Sequence, residues 1–236
     1  MPIESTADII VASFTDENGR TTYTDEFTES KEGIAVTATG NVKISIIQRE
    51  RIQYTDVHNN NHWAAKFIDF VSALGIMKGI GEDKFAPDAP LTRAMLVTML
   101  YRAEGEPEVD GTSSFEDVEE NAWYAKAVLW AKQNGIINGI TENAFVPNSD
   151  ITREQIATIM HRYAVYKGDD TVSGEETNIL SYDDYASISD YAMVSMQWAA
   201  GTGLMKGKTE STLNPLDNAT RAEFATIFYR FVKANK

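Results

Sequence analysis

The sequence predicts a mainly α fold, in which three helix–loop–helix repeats form a pseudo-threefold bundle behind a short β-rich N-terminal segment. Three observations carry this expectation. The motif Leu91-Thr92-Arg93-Ala94 returns as Ile151-Thr152-Arg153-Glu154 and as Ala219-Thr220-Arg221-Ala222, at offsets of 60 and 68 residues. Gly75, Gly79, Phe85 and Pro87 recur at the same offsets as Gly135, Gly139, Phe145 and Pro147, then as Gly203, Gly207, Leu213 and Pro215. Several landmarks in one register across three copies mark an internal repeat. Each copy also holds an amphipathic stretch that stops at a glycine. One helical hairpin cannot cover its own apolar faces, whereas three packed about a common axis can.

Composition narrows the classes of function. With 21 Lys and Arg against 35 Asp and Glu, the net charge of −14 repels nucleic acid and anionic lipid overall. No run approaches the roughly 18 apolar residues of a membrane helix. The opening MPIESTADII shows no basic region followed by an apolar one, so no export signal is visible there. Cysteine is absent, which excludes disulfides and thiolate metal sites.

Residues 1–52 read as two to four strands, with Ile9-Ile10-Val11, Ile34-Ala35-Val36 and Val42-Lys43-Ile44-Ser45-Ile46 β-branched and partly alternating. So short a segment has little core of its own and is expected to lean on the repeats or to end a larger domain. The repeats span 53–105, 114–166 and 181–236. Each opens on an aromatic, a polar residue and an aspartate: Tyr54-Thr55-Asp56, Phe115-Glu116-Asp117, Tyr182-Asp183-Asp184. In the helix from Trp63 to Leu74 the pattern places Trp63, Phe67, Phe70, Val71 and Leu74 on one face. Trp123–Asn134 and Tyr191–Thr202 repeat it, with Trp130 and Trp198 in the core. Gly79, Gly139 and Gly207 then allow a positive φ or a close backbone approach. Proline bars helix continuation, and the second helix starts on the motif threonine, with capping boxes at Thr152/Gln155 and Thr220/Glu223.

Arg93, Arg153 and Arg221 then occupy the first helical position, where the helix dipole disfavours a cation by ~0.3–1 kcal/mol. Three at one register require a cause, and two are open. Unpaired N–H groups at a helix start bind anions, and arginine adds a bidentate clamp for a carboxylate or phosphate. Alternatively, each arginine pairs with a repeat-start carboxylate, Asp56, Asp117 or Asp184, and staples neighbouring repeats. Trp63 and Trp123 are open between core packing and stacking on a sugar ring. Lys78 and Lys206 precede the turn glycine, where the middle repeat has Asn138. His58 and His62 straddle Asn59-Asn60-Asn61, a poor helix without a third ligand, so no metal is expected. No nucleophile motif, phosphate loop or catalytic carboxylate pair stands out, so neither an enzyme nor a cofactor is expected.

At these residues the chain resembles the S-layer homology family, from Tyr54 to about Phe231. The resemblance rests on the aromatic-x-Asp opening, His62-Trp63-Ala64, the glycine-ended helix, the Phe-x-Pro loop and Thr220-Arg221-Ala222-Glu223. Met95 in place of glutamate, Glu154 and Gln155 in the second motif, and Tyr191 in place of tryptophan depart from it. The resemblance implies an extracellular module that anchors an exported protein non-covalently to the cell wall. It further implies a secondary cell-wall polysaccharide as partner, bound in inter-repeat grooves through a pyruvyl ketal on N-acetylmannosamine. Arg93, Arg153 and Arg221 would grip the ketal carboxylate. Gly79, Gly139 and Gly207 would offer N–H groups, Lys78 and Lys206 charge, and Trp63 and Trp123 the walls. Asp56 and Asp117 complete the expected site set. The competing expectation is a protein–protein scaffold that assembles with S-layer neighbours, its arginines acting as structural staples.

Overall fold

In a computed structural model of the chain, residues 8–30, 33–38, 40–175 and 177–234 are described. Most of the stretch read for an export signal, Met1–Ala7, lies outside them, as does Glu176 of the second connector. Met1–Pro87 with Ala225–Lys236 forms one compact unit, and Asp88–Phe224 forms another.

In the first unit, β1 (Ile9–Thr15) is the middle strand of an antiparallel sheet, between β2 (Thr21–Thr24) and β5 (Lys43–Arg49). β3 (Thr28–Ser30) pairs with β4 (Gly33–Ala35). Five strands among the described residues exceed the expected two to four. β2 (TTYT) and β3 (TES) carry hydroxyl and charged side chains in place of an apolar alternation, so their pattern is silent. The segment does lean on the repeats. α1 (Thr55–His58) and α2 (Ala65–Ala73) follow it, and the C-terminal part of α8 (Arg221–Ala234) joins the same unit. Phe67 and Phe70 meet the Tyr229 ring edge-on, with centroids 5.0 and 4.9 Å away. Asp25 accepts from Lys233 Nζ at 2.8 Å and from the Tyr229 hydroxyl at 3.0 Å. Arg51 pairs with Asp69 at 3.1 Å.

The second unit holds α3 (Arg93–Ala103), α4 (Ala125–Gln133), α5 (Arg153–Lys167), α6 (Val172–Glu175) and α7 (Met193–Gly201). At its centre the three motifs close a ring of backbone hydrogen bonds. Leu91 N–H donates to Ala219 O (2.9 Å), Ala219 N–H to Ile151 O (3.0 Å), and Ile151 N–H to Leu91 O (2.9 Å). Leu91, Ile151 and Ala219 are fully buried. Threefold order here is built into the main chain.

Local rules place the helix ends. Gly75, Gly135 and Gly203 are left-handed, with φ of 74°, 69° and 70°. Thr92 and Thr152 cap α3 and α5, and the reciprocal capping boxes form at Thr152/Gln155 and Thr220/Glu223. Two first-helix expectations change. Trp63 lies before α2 and is 59% exposed, while Ala64 and Ile68 face the core. Trp123 stands likewise before α4, 61% exposed. Trp130 and Trp198 are buried.

Candidate functional site

The aspartates are accounted for first. Asp117 Oδ1 accepts from Phe145 N–H at 2.9 Å and Oδ2 from Val146 N–H at 2.7 Å. Asp56 does the same for Phe85 and Ala86, and Asp184 for Leu213 and Asn214. Ala86, Val146 and Asn214 all have positive φ, near 56°, 58° and 53°, immediately before a proline. A non-glycine residue rarely holds that conformation. The aspartate supplies two charge-assisted bonds that fix it.

Arg93 therefore has other partners than these carboxylates, which corrects one form of the staple reading at that position. Arg93 Nε donates to Phe145 O at 2.8 Å and Nη2 to Asn138 O at 3.2 Å. Arg153 Nε donates to Leu213 O at 2.8 Å and Nη2 to Lys206 O at 2.7 Å. Each reaches main-chain carbonyls of the following repeat, and Arg153 also pairs with Glu223 at 4.0 Å. Arg93 also lies over the Phe145 ring, 4.7 Å from its centroid.

The open helix start is corrected too. Arg93 N–H donates to Ser149 O, Ala94 N–H to Pro147 O and Met95 N–H to the Thr92 hydroxyl. At α5 the same amides meet Asp217 O, Pro215 O and Thr152 Oγ1. The first-turn amides are consumed by the packing of repeats, so any anion must meet side chains instead.

A groove of about 440 Å³ provides that meeting place. Its lining includes Arg93, Asn138, Gly139, Ile140, Gln155, Arg162 and Tyr191. A guanidinium has five N–H donors, and Arg93 spends only two on the protein among the described residues. Arg162 is half-buried, and no carboxylate pairs with it among the described residues. Burial pushes both guanidinium pKa values down, as expected of cations held away from water without a full counter-charge. Gly139 N–H, also half-buried, meets no protein acceptor among the described residues.

Gly139 is a glycine because of crowding. A Cβ there would come within 3.0 Å of Thr141 O, Ala144 O and the Phe115 ring. Gly79 and Gly207 are tight in the same way, and none of the three has a positive φ. Of the two reasons open for these glycines, close approach is the one that holds.

The structure thus brings Arg93 and Gly139 to one groove, and Arg153 to the Lys206 carbonyl. The lysines are exposed at their own turns. Asp56 and Asp117 sit on the loops they brace. The aromatic in this groove is Tyr191, at the register of Trp63 and Trp123. Its hydroxyl donates to Glu154 Oε1 at 2.8 Å. Arg162 is the residue that motif reading misses, although Arg102, Arg162 and Arg230 keep the same 60- and 68-residue offsets.

Three motifs closed into a ring carry beside them a groove lined by two guanidinium groups. The family model for the S-layer homology domain matches residues 53–94, 114–157 and 181–225, and the chain belongs to that family. It is similar to an amylopullulanase of Thermoanaerobacterium thermosulfurigenes, 32% identical over 75% of this chain and 9% of that one. It is similar to the exoglucanase XynX of Acetivibrio thermocellus, 31% identical over 79% of this chain and 17% of the relative. A surface-layer 125 kDa protein of Lysinibacillus sphaericus is 27% identical over 77% of this chain and 15% of its own length. The chain spans less than a fifth of each of these three relatives. Enzymes and a surface-layer protein share a short portion with it, and that portion is a cell-surface anchoring module.

Proposed function

We propose that this module anchors its parent protein by gripping a pyruvylated secondary cell-wall polysaccharide, and that the Arg93 groove binds the ketal carboxylate. The observation that carries this reading is a pair of guanidiniums lining one groove, which among the described residues leave three N–H groups of Arg93 unspent and Arg162 without an ion-pair partner. Arg93 and Arg162 offer the charge, and Gly139 N–H adds a neutral donor. Ile140, 53% exposed, gives the ketal methyl an apolar wall. The net charge of −14 does not oppose this, since distant surface charges are screened beyond about 10 Å.

By register within Asp88–Phe224, Arg153 with Lys206 and Gly207 stands where Arg93 stands with Asn138 and Gly139. Asp56 and Asp117 contribute by holding the loop that each arginine register depends on. Multiple occupied positions on one polymer would raise avidity.

The second reading, a self-assembly scaffold, is favoured by the Arg93–Phe145 and Arg153–Leu213 bonds, which do join repeats. Arg162→Ala separates the two. Among the described residues it removes no side-chain hydrogen bond or ion pair, so stability should hold to within about 0.5 kcal/mol. Affinity for the pyruvylated polysaccharide should fall about 10- to 100-fold, the contribution of one charge-assisted bond. Unchanged affinity, or equal binding after chemical removal of the pyruvyl groups, overturns the carboxylate mechanism.

A further inference from the structure

Two departures from the repeat pattern, Glu154 and Tyr191, are a single feature. Glu154 is buried, at the register where Ala94 and Ala222 have only a methyl group. Its carboxylate accepts from Ser189 N–H (2.9 Å), Ser189 Oγ (2.8 Å) and Tyr191 Oη (2.8 Å). A buried carboxylate needs such donors, and the Tyr191 phenol supplies one of the three. The tyrosine therefore accompanies the glutamate.

This pairing changes what the groove presents. A phenol has one proton to give and an oxygen able to accept. The Tyr191 proton is committed to Glu154, and the Gln155 side chain supports the same oxygen as a donor. Burial, and after it the bond to Glu154, pushes the phenol pKa up, so that proton stays in place at neutral pH. Tyr191 as a whole remains 56% exposed and lines the groove. Tryptophan, as found at positions 63 and 123, is the reverse: its indole N–H only donates.

We infer that Tyr191, positioned by Glu154, sets the specificity of the Arg93 groove by offering the ligand a hydrogen-bond acceptor where the tryptophan-bearing repeats offer a donor. The favoured ligand carries its anionic group toward Arg93 and Arg162 and a free hydroxyl or amide N–H toward Tyr191. This deepens the anchoring reading and rests on it.

The probes are the methyl glycoside of pyruvyl-ketal N-acetylmannosamine and the same compound with its free ring hydroxyl methylated. Binding is followed by NMR at the Gly139 amide, which reports this groove alone. The wild-type chain should bind the unmethylated probe about three- to tenfold more tightly, the worth of one neutral hydrogen bond. Tyr191→Phe should lose that preference. The double variant Glu154→Ala with Tyr191→Trp, which restores the pair of residue types used in the other repeats, should lose or reverse it while still binding through the arginines. Equal binding of both probes by the wild type, or a preference that survives in the double variant, overturns the inference and leaves anchoring intact. A Gly139 amide that responds to neither probe overturns the anchoring reading, and this inference with it.

Discussion

The motif loops of Asp88–Phe224 and the strand segment of the first unit are held by different kinds of bond. In the repeats, charged side chains grasp main chain: Asp117 takes the Phe145 and Val146 amides, and Arg93 takes the Phe145 carbonyl. Around the strands, charged side chains grasp each other: Asp25 with Lys233, and Arg51 with Asp69. The first kind tolerates drift, because every residue type except proline offers the same amide and carbonyl. Leu213 stands where Phe85 and Phe145 do, and Asn214 where Ala86 does, yet Asp184 and Arg153 make the same bonds there. The second kind fails when either partner changes. A repeated motif can diverge everywhere except at the side chains that hold backbone.

The largest expected effect tests that claim directly. Asp117→Ala orphans two amides and releases a strained, β-branched Val146, and should cost about 2–4 kcal/mol in denaturant unfolding. A loss below 1 kcal/mol would show that the loop needs no clamp. Arg93→Ala should also lower stability, by about 2–3 kcal/mol, because it strips Phe145 O and Asn138 O of a charged donor. For that reason it is a poorer probe of binding than Arg162→Ala.

Asp25→Asn should cost less, about 1–2 kcal/mol, within the first unit. Burial raises the Asp25 pKa, but Lys233, Tyr229 and Lys66 outweigh it and hold the value below the ordinary 3.8. The stability from this carboxylate is thus present above pH 3.8 and lost as pH falls through its lower folded value. The Lys233 pKa is raised above 10.5, where burial opposes and the bonds to Asp25, Glu26 and Tyr229 prevail. Its contribution is full below pH 10.5 and is lost only above the folded value. Melting curves of wild type and Asp25→Asn should therefore converge below about pH 3.8. A gap that persists in acid would mean the ion pairs do not hold this segment.

Smallest of all should be Phe145→Leu, at about 1 kcal/mol or a little more, since the carbonyl that Arg93 holds is untouched and leucine serves at position 213. A change as large as that of Asp117→Ala would place the fixing contact in the ring, and the contrast with the strand segment would narrow.

Legibility follows the same division. Capping boxes, turn glycines and the proline stops are local events, so a single stretch of chain reveals them. Asp56 and Asp117 are visible as repeated residues, but their partners lie about 30 residues away and are amides, which carry no sequence signature. Glu154 and Tyr191 are each visible as departures, whereas their bond, across 37 positions, is not. Asp25 and Lys233, 208 apart, give no sign of each other. Arg162 is a different case: its register is plain beside Arg102 and Arg230, and only its place in a groove required coordinates.

The closed circuit Leu91–Ala219–Ile151 has a consequence for the size of the module. A circuit of this kind has no free end on which to add or remove a link. Deleting the last repeat would strand the Leu91 N–H and the Ile151 carbonyl in a dry interior, at a few kcal/mol each. Such a module is therefore gained or lost as a trio, and a two-repeat version should survive only where a second chain supplies the missing third.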